Sequence, residues 1–245
     1  MKTAFRVTLC LCLIGLLWAC KNDAKTDTTN NTNKTKSKPQ FKENIPKVVI
    51  PAGGEDDVDV SHIKTLTQEE LENFLDKYEK DNPETLVKIE TRFGDIKIQL
   101  FASERLHRLN FIRLTKLGYF DDTFFHRIDS GFVVQGGNSD KPSTQKLRAK
   151  IGNYLLPNEY NPLHKNNYGF VGMAKPTSQK VSNASTPFEF YIVMDKTGAH
   201  HLDKEFTVFG RVLEGMEVLE DRQKVDIDAS EWPLSNIQMD IEVLE

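Results

Sequence analysis

The sequence predicts a mostly β fold built as a closed antiparallel barrel. Residues 86–90 and 96–100 alternate apolar and polar side chains around Phe93-Gly94-Asp95, the pattern of a hairpin. Further strand-like stretches follow at 170–174, 188–193, 206–210 and 237–244. Helical periodicity after residue 85 is found at 103–117 and again, briefly, at 215–222. Many short strands with few helices favour closure, because a closed sheet leaves no exposed edge.

The N-terminus reads as a targeting segment. Lys2 and Arg6 precede an apolar run from Val7 to Trp18 that is too short to span a bilayer as a stable helix. It ends in Leu17-Trp18-Ala19-Cys20, which resembles a bacterial lipobox. In that reading residues 1–19 are a signal peptide and Cys20 carries the lipid; the plain alternative is an ordinary secretory signal with a chance Cys. Cys10 and Cys12 leave with the signal, so Cys20 is the one mature thiol and no intramolecular disulfide forms. The expected location is the bacterial cell envelope, anchored to a membrane through Cys20.

Residues 20–66 are expected to be a lipid-anchored tether and irregular segment. The stretch 21–40 carries almost no apolar side chain and cannot offset the entropy of ordering. Residues 67–82 form an amphipathic helix. Thr67 and Glu70 make a capping box, and Leu71, Phe74, Leu75 and Tyr78 share one face. That face packs on the following barrel or docks a partner; packing is the reading taken here. The main domain then runs over 83–245. The formal charge of −4 gives no footprint for nucleic acid.

The most informative stretch is Phe125-His126-Arg127-Ile128-Asp129-Ser130-Gly131-Phe132-Val133-Val134-Gln135-Gly136-Gly137. It sets Arg127 and Gln135 beside an aromatic on a strand bounded by glycine turns. Two oriented polar groups next to a dry patch can hold a small apolar ring and hydrogen-bond the backbone around it.

This stretch resembles the signature F-H-R-x-x-x-G-F-x-x-Q-G-G of the cyclophilin-type peptidyl-prolyl cis-trans isomerases. "ETRFGDIKIQLF" and "NFIRLTKLGYFDDTFFHRI" before it are similar to the family's first hairpin and helix, and "YGFVGMA", "FEFYIVM", "HHLDKEFTVFGRVLEGMEVLE" and "IEVLE" follow in the family's order. The resemblance implies eight strands with a helix capping each end. It implies that Arg127 is catalytic and that Gln135 bonds the substrate backbone. The plain alternative for Arg127 is a surface Arg paired with a nearby Asp. Phe132, Val133, Tyr191, Leu202 and Phe206 match pocket positions, and the main chain of Met173, Ala174 and Lys175 matches a substrate-pairing segment.

Two departures stand out. Glu189 replaces the family's usual Gln, and is expected to reach the pocket rim and pair with Arg127. His201 replaces a Trp or Phe, which implies weak cyclosporin binding. The loop 175–188 is also longer than usual. Expected partners are proline-containing segments of exported polypeptides, met by a monomer. The chemistry makes and cleaves no bond, so no metal or other cofactor is required. The rivals are a binding module with little turnover and a scaffold docked through the 67–80 helix.

Overall fold

A computed structural model describes residues 58–176, 182–222 and 224–244. The signal segment, Cys20, the 21–40 tether and the stretch 41–57 lie outside these residues, as do 177–181 of the long loop. Among the described residues no helix is long and apolar enough to cross a membrane.

The alternation at 86–100 forms β1 (Leu86–Thr91) and β2 (Gly94–Leu100), paired from Leu86↔Gln99 to Thr91↔Gly94. The signature stretch forms β3 (Phe124–Asp129) and β4 (Val133–Asn138), and β5 (Phe170–Met173), β6 (Phe190–Val193) and β7 (Val208–Glu214) follow. Residues 237–244, expected as one strand, split at buried Met239 into β8 (Ile237–Gln238) and β9 (Asp240–Leu244). The single antiparallel sheet runs β8-β3-β4-β6-β5-β7-β2-β1-β9. The two ends of that order are neighbours in sequence. One continuous stretch of chain pairs with β3 at Phe124–Phe125 and with β1 at Leu86–Glu90, and so nearly closes the barrel. The nine strands against the eight expected reflect this split.

Among the described residues four α-helices accompany the sheet. The first, α1 (Leu71–Tyr78), begins at the predicted capping box: the Thr67 N–H donates to Glu70 at 3.3 Å and the Glu70 N–H donates to Thr67 Oγ at 3.4 Å. The second, α2 (Arg105–Lys116), is buried from Leu106 to Thr115. Its Phe111 packs on Phe120, Phe190 and Phe209, with centroids 4.7, 5.4 and 5.5 Å away. The third, α3 (Pro142–Ile151), has no counterpart among the elements expected from the sequence. Leu147 and Ile151 are its buried apolar residues, too few for a visible periodicity. The last, α4 (Met216–Arg222), lies by the β1–β2 turn, where a Cβ on Gly94 would come within 2.9 Å of Val218.

The amphipathic face of α1 is packed inward. Leu71 and Leu75 are fully buried in the main core, as are Ile63 and Leu66 before them. Val58 and Val60 pack against the same core, so the irregular segment is part of the folded body from Val58 onward. This layer explains why α2 buries polar side chains that an amphipathic helix would expose. Arg108 donates to Glu79 at 2.6 Å, and Arg113 donates to the Lys64 carbonyl at 2.7 Å. Leu75→Ala is expected to lower stability by about 2–5 kcal/mol, the usual cost of truncating a buried Leu. Urea unfolding checks this; a change within about 0.5 kcal/mol would mean that α1 adds little to the fold.

Candidate active site

The barrel's alternation sorts β4 and β6 into two faces. Val134, Phe190 and Ile192 enter the main core, whereas Val133, Tyr191 and Val193 form a separate apolar cluster with Ala199. Phe132, Leu202 and Phe206 pack against that second cluster. Register then places the polar groups. Arg127 on β3 lies opposite Gln135 on β4, and Gln135 lies opposite Tyr191 on β6. Residues opposite one another share a face of the sheet. Arg127, Gln135 and Tyr191 thus form one row across three strands, on the face that carries the second cluster.

A cleft of about 490 Å³ opens over this row. Arg127, Gln135, Glu189, Ala174 and Lys175 line it together with the apolar group Phe132, Val133, Tyr191, Leu202 and Phe206. His126, a residue of the signature stretch expected to be structural, also lines it, as does Asn138, which was not singled out from the sequence. The rings are held from behind. Tyr191 donates its hydroxyl to Asn166 at 2.7 Å, and Asp203 accepts from both the N–H and the amide of Asn166 at 2.9 Å. Burial pushes the Tyr191 phenol well up, so it stays a donor. Gly172 lies under this ring; a Cβ there would come within 2.3 Å of it.

Two expected site residues lie elsewhere. The Met173 side chain is in the barrel core and its N–H donates to the Thr207 carbonyl at 3.0 Å. Ala174 is likewise engaged within the fold, donating to Glu189 O and accepting from Thr186 N, both at 2.8 Å. Of the three main-chain positions, Lys175 is the one whose N–H meets no partner among the described residues. His201 does not line the cleft; it is exposed and stacks on the back of Phe132 at 5.2 Å.

The Arg127 guanidinium faces the cleft and is held on one edge. Its Nε donates to Glu231 Oε2 at 2.6 Å and its Nη2 to Asp129 Oδ2 at 2.8 Å. Pairing with an Asp and placement in the site thus occur together.

The expected pairing of Glu189 with Arg127 is not found. Glu189 meets Arg148 of α3 at 3.0 Å and accepts from the Gln135 amide at 3.0 Å, with His126 Nε2 3.6 Å away. Arg148 was not legible in the sequence because α3 shows no clear helical pattern. Arg148 also donates to Tyr119 Oη and to the Gly137 carbonyl, at 2.8 and 2.9 Å. Gly137 has φ +94°, and a Cβ on it would come within 2.2 Å of the Phe188 carbonyl. The second glycine of the pair therefore lets β4 close over this network. A carboxylate can only accept, so it fixes the Gln135 amide with nitrogen toward Glu189 and leaves the amide oxygen to accept. Burial acts to raise the Glu189 pKa, but His126 and Arg148 outweigh it and hold the carboxyl below its ordinary value.

The family model of the cyclophilin type peptidyl-prolyl cis-trans isomerases matches residues 86–243. Peptidyl-prolyl cis-trans isomerase-like 3 of Dictyostelium discoideum is 35% identical over 153 residues, which is 62% of this chain and 89% of the relative. The Arabidopsis thaliana isomerase CYP18-1 is 34% identical over 155 residues, 62% of this chain and 91% of that protein. The crystal structure of a Cryptosporidium parvum cyclophilin type isomerase in the presence of the dipeptide Ala-Pro superposes with a TM-score of 0.54 at 27% identity. It covers 65% of this chain and 99% of its own. The chain belongs to the cyclophilin type peptidyl-prolyl cis-trans isomerase family, and it is an isomerase with the cyclophilin-like fold.

Glu189→Gln removes the charge that faces Arg148 and is expected to cost about 1–3 kcal/mol at neutral pH. Because the folded pKa of Glu189 is depressed, the unfolded chain binds the proton more readily. The stability difference between wild type and variant is therefore fully present above the ordinary carboxylate range, and shrinks as pH falls through it and below. Denaturant unfolding at pH 7 and at pH 3 measures this; an equal difference at both would remove Glu189 as the titrating group.

Proposed function

We propose that the cleft binds a proline-containing segment of an exported polypeptide and that Arg127 speeds rotation about the X–Pro bond. Uncatalysed, that bond turns over in tens to hundreds of seconds, because twisting it breaks amide resonance. The twisted amide differs from both planar isomers in one respect useful to an enzyme: its nitrogen regains a lone pair. A fixed donor aimed there stabilises the transition state and not the ground state. Arg suits the role, since it stays charged and its donors are planar and rigid.

The observation that carries the reading is that a guanidinium and an apolar ring cluster share one cleft. Phe132, Val133, Tyr191, Leu202 and Phe206 would seat the pyrrolidine ring. The Gln135 amide oxygen would accept from a substrate N–H, and the Lys175 main chain would pair with the chain running past. With the ring and one flank held, rotation is confined to the amide between them, beside Arg127.

The exported clients and the envelope location rest on the N-terminal sequence. The apolar run, the lipobox-like Leu17-Trp18-Ala19-Cys20 and the polar stretch after it support a chain tethered through Cys20.

Arg127→Ala is expected to lower kcat/KM for a Pro-containing peptide by about 10²- to 10³-fold, the usual effect of removing one transition-state donor. Its ion pairs are partly exposed and worth about 0–1 kcal/mol, so the melting temperature should move by a few degrees at most. A protease-coupled assay measures the turnover; a variant that keeps it, with an unchanged melt, would end the catalytic assignment. Cys20→Ser is expected to abolish incorporation of labelled fatty acid and release the protein from the membrane fraction. Equal labelling of wild type and variant would refute acylation there.

A further inference from the structure

The loop between α4 and β8 reaches back to the catalytic strand. Asp228 organises it: its carboxylate accepts from the N–H groups of Ser230 and Trp232 at 2.8 and 3.0 Å, and its own N–H donates to the Trp232 carbonyl at 2.8 Å. The turn forces Glu231 into a left-handed conformation with φ +65°, which costs energy for a residue other than Gly. Two contacts compensate. The Glu231 carbonyl accepts from Ile128 N at 2.9 Å, extending the pairing of β3 past β8. Its carboxylate takes Arg127 Nε at 2.6 Å. The Trp232 ring lies against His126, 5.6 Å between centroids.

Nε and Nη2 form one edge of the planar guanidinium. Glu231 takes the first and Asp129 the second, so the plane is fixed about both of its free rotations. Among the described residues nothing accepts from Nη1, which keeps both of its N–H groups for a ligand. Holding a donor in place before the reaction is what lets it act without reorganisation.

We propose that Glu231 is a positioning residue for Arg127, setting the guanidinium so that Nη1 meets the nitrogen of the twisting amide, with Asp129 as the second clamp. This rests on the assignment of Arg127 as the catalytic residue. It also makes the α4–β8 loop, distant in sequence from the signature, part of the catalytic apparatus. A role in rate, not in affinity, follows, because the clamp touches Arg127 and not the ring pocket.

The test compares steady-state kinetics of full-length Glu231→Ala, Glu231→Gln and Glu231→Met with wild type on one Pro-containing peptide. Glu231→Ala is expected to lower kcat about ten- to a hundredfold, with KM within about twofold. Gln keeps a neutral acceptor for Nε and should recover most of the turnover, whereas Met, of similar length without an oxygen acceptor, should not. That Gln–Met contrast decides the matter if the Ala variant does not fold. Asp228→Ala loosens the same turn but keeps the carboxylate; a loss as large as that of Glu231→Ala would assign the effect to loop order and overturn the proposal. So would normal kcat in Glu231→Met. In an Arg127→Ala background, Glu231→Ala should cost nothing further, since it acts through the missing guanidinium; an additional loss would overturn the proposal. Arg127→Ala with full activity would instead remove the catalytic reading and the clamp with it, whereas an inactive Arg127→Ala beside a normal Glu231→Met would remove the clamp alone.

Discussion

The cross-strand register Arg127↔Gln135↔Tyr191 is the constraint on which the site depends. A β-sheet alternates faces with a period of two, so a slip of one residue in β4 would send Gln135 into the core and bring Val134 out. Two features hold the register. Val134 and Ile192 fill the interior while Val133 and Val193 join the second apolar cluster, so both faces of β4 and β6 are specified by burial. Gly137 then allows a backbone approach that no side chain would permit. The pocket is in this sense a consequence of packing the barrel.

Beside this frame the protein places a half-buried ion pair at the edge of the site. Arg148 and Glu189 join the α3 layer to β4 through Gln135, Tyr119 and the Gly137 carbonyl. Such groups are stable only as a complete set, because removing one partner strands the other away from water. The charge of Glu189 is matched by Arg148, an Arg from a different element. At α2, Glu79, just after α1, and the Lys64 carbonyl serve as acceptors for Arg108 and Arg113.

Arg127 has a different environment from Arg148. Its partners Asp129 and Glu231 are about a third exposed, and it keeps a free end toward the cleft. A fully enclosed guanidinium would have no donor left for a ligand. A fully solvated one would have to be ordered each time a ligand bound. Two carboxylates on one edge give an intermediate arrangement, oriented but open.

The sequence by itself determined the barrel, the hairpin at 86–100, the α1 capping box and the Phe125–Gly137 stretch. These are local matters: alternation, helical periodicity, caps and glycine turns act over a few residues and show in any window of the chain. It also singled out Arg127, Gln135 and the ring-bearing positions that the structure gathers in one cleft. Tertiary structure decided the rest. Met173 points into the core and His201 sits behind Phe132, outcomes of strand facing and of the turn at 200–202. The partner of Glu189 is Arg148, 41 residues away on a helix with too few apolar residues to announce itself. Glu231 reaches Arg127 across 104 residues. No spacing rule connects such pairs, because the force that joins opposite charges depends on distance in space, and the packing of helix and loop against the sheet sets that distance.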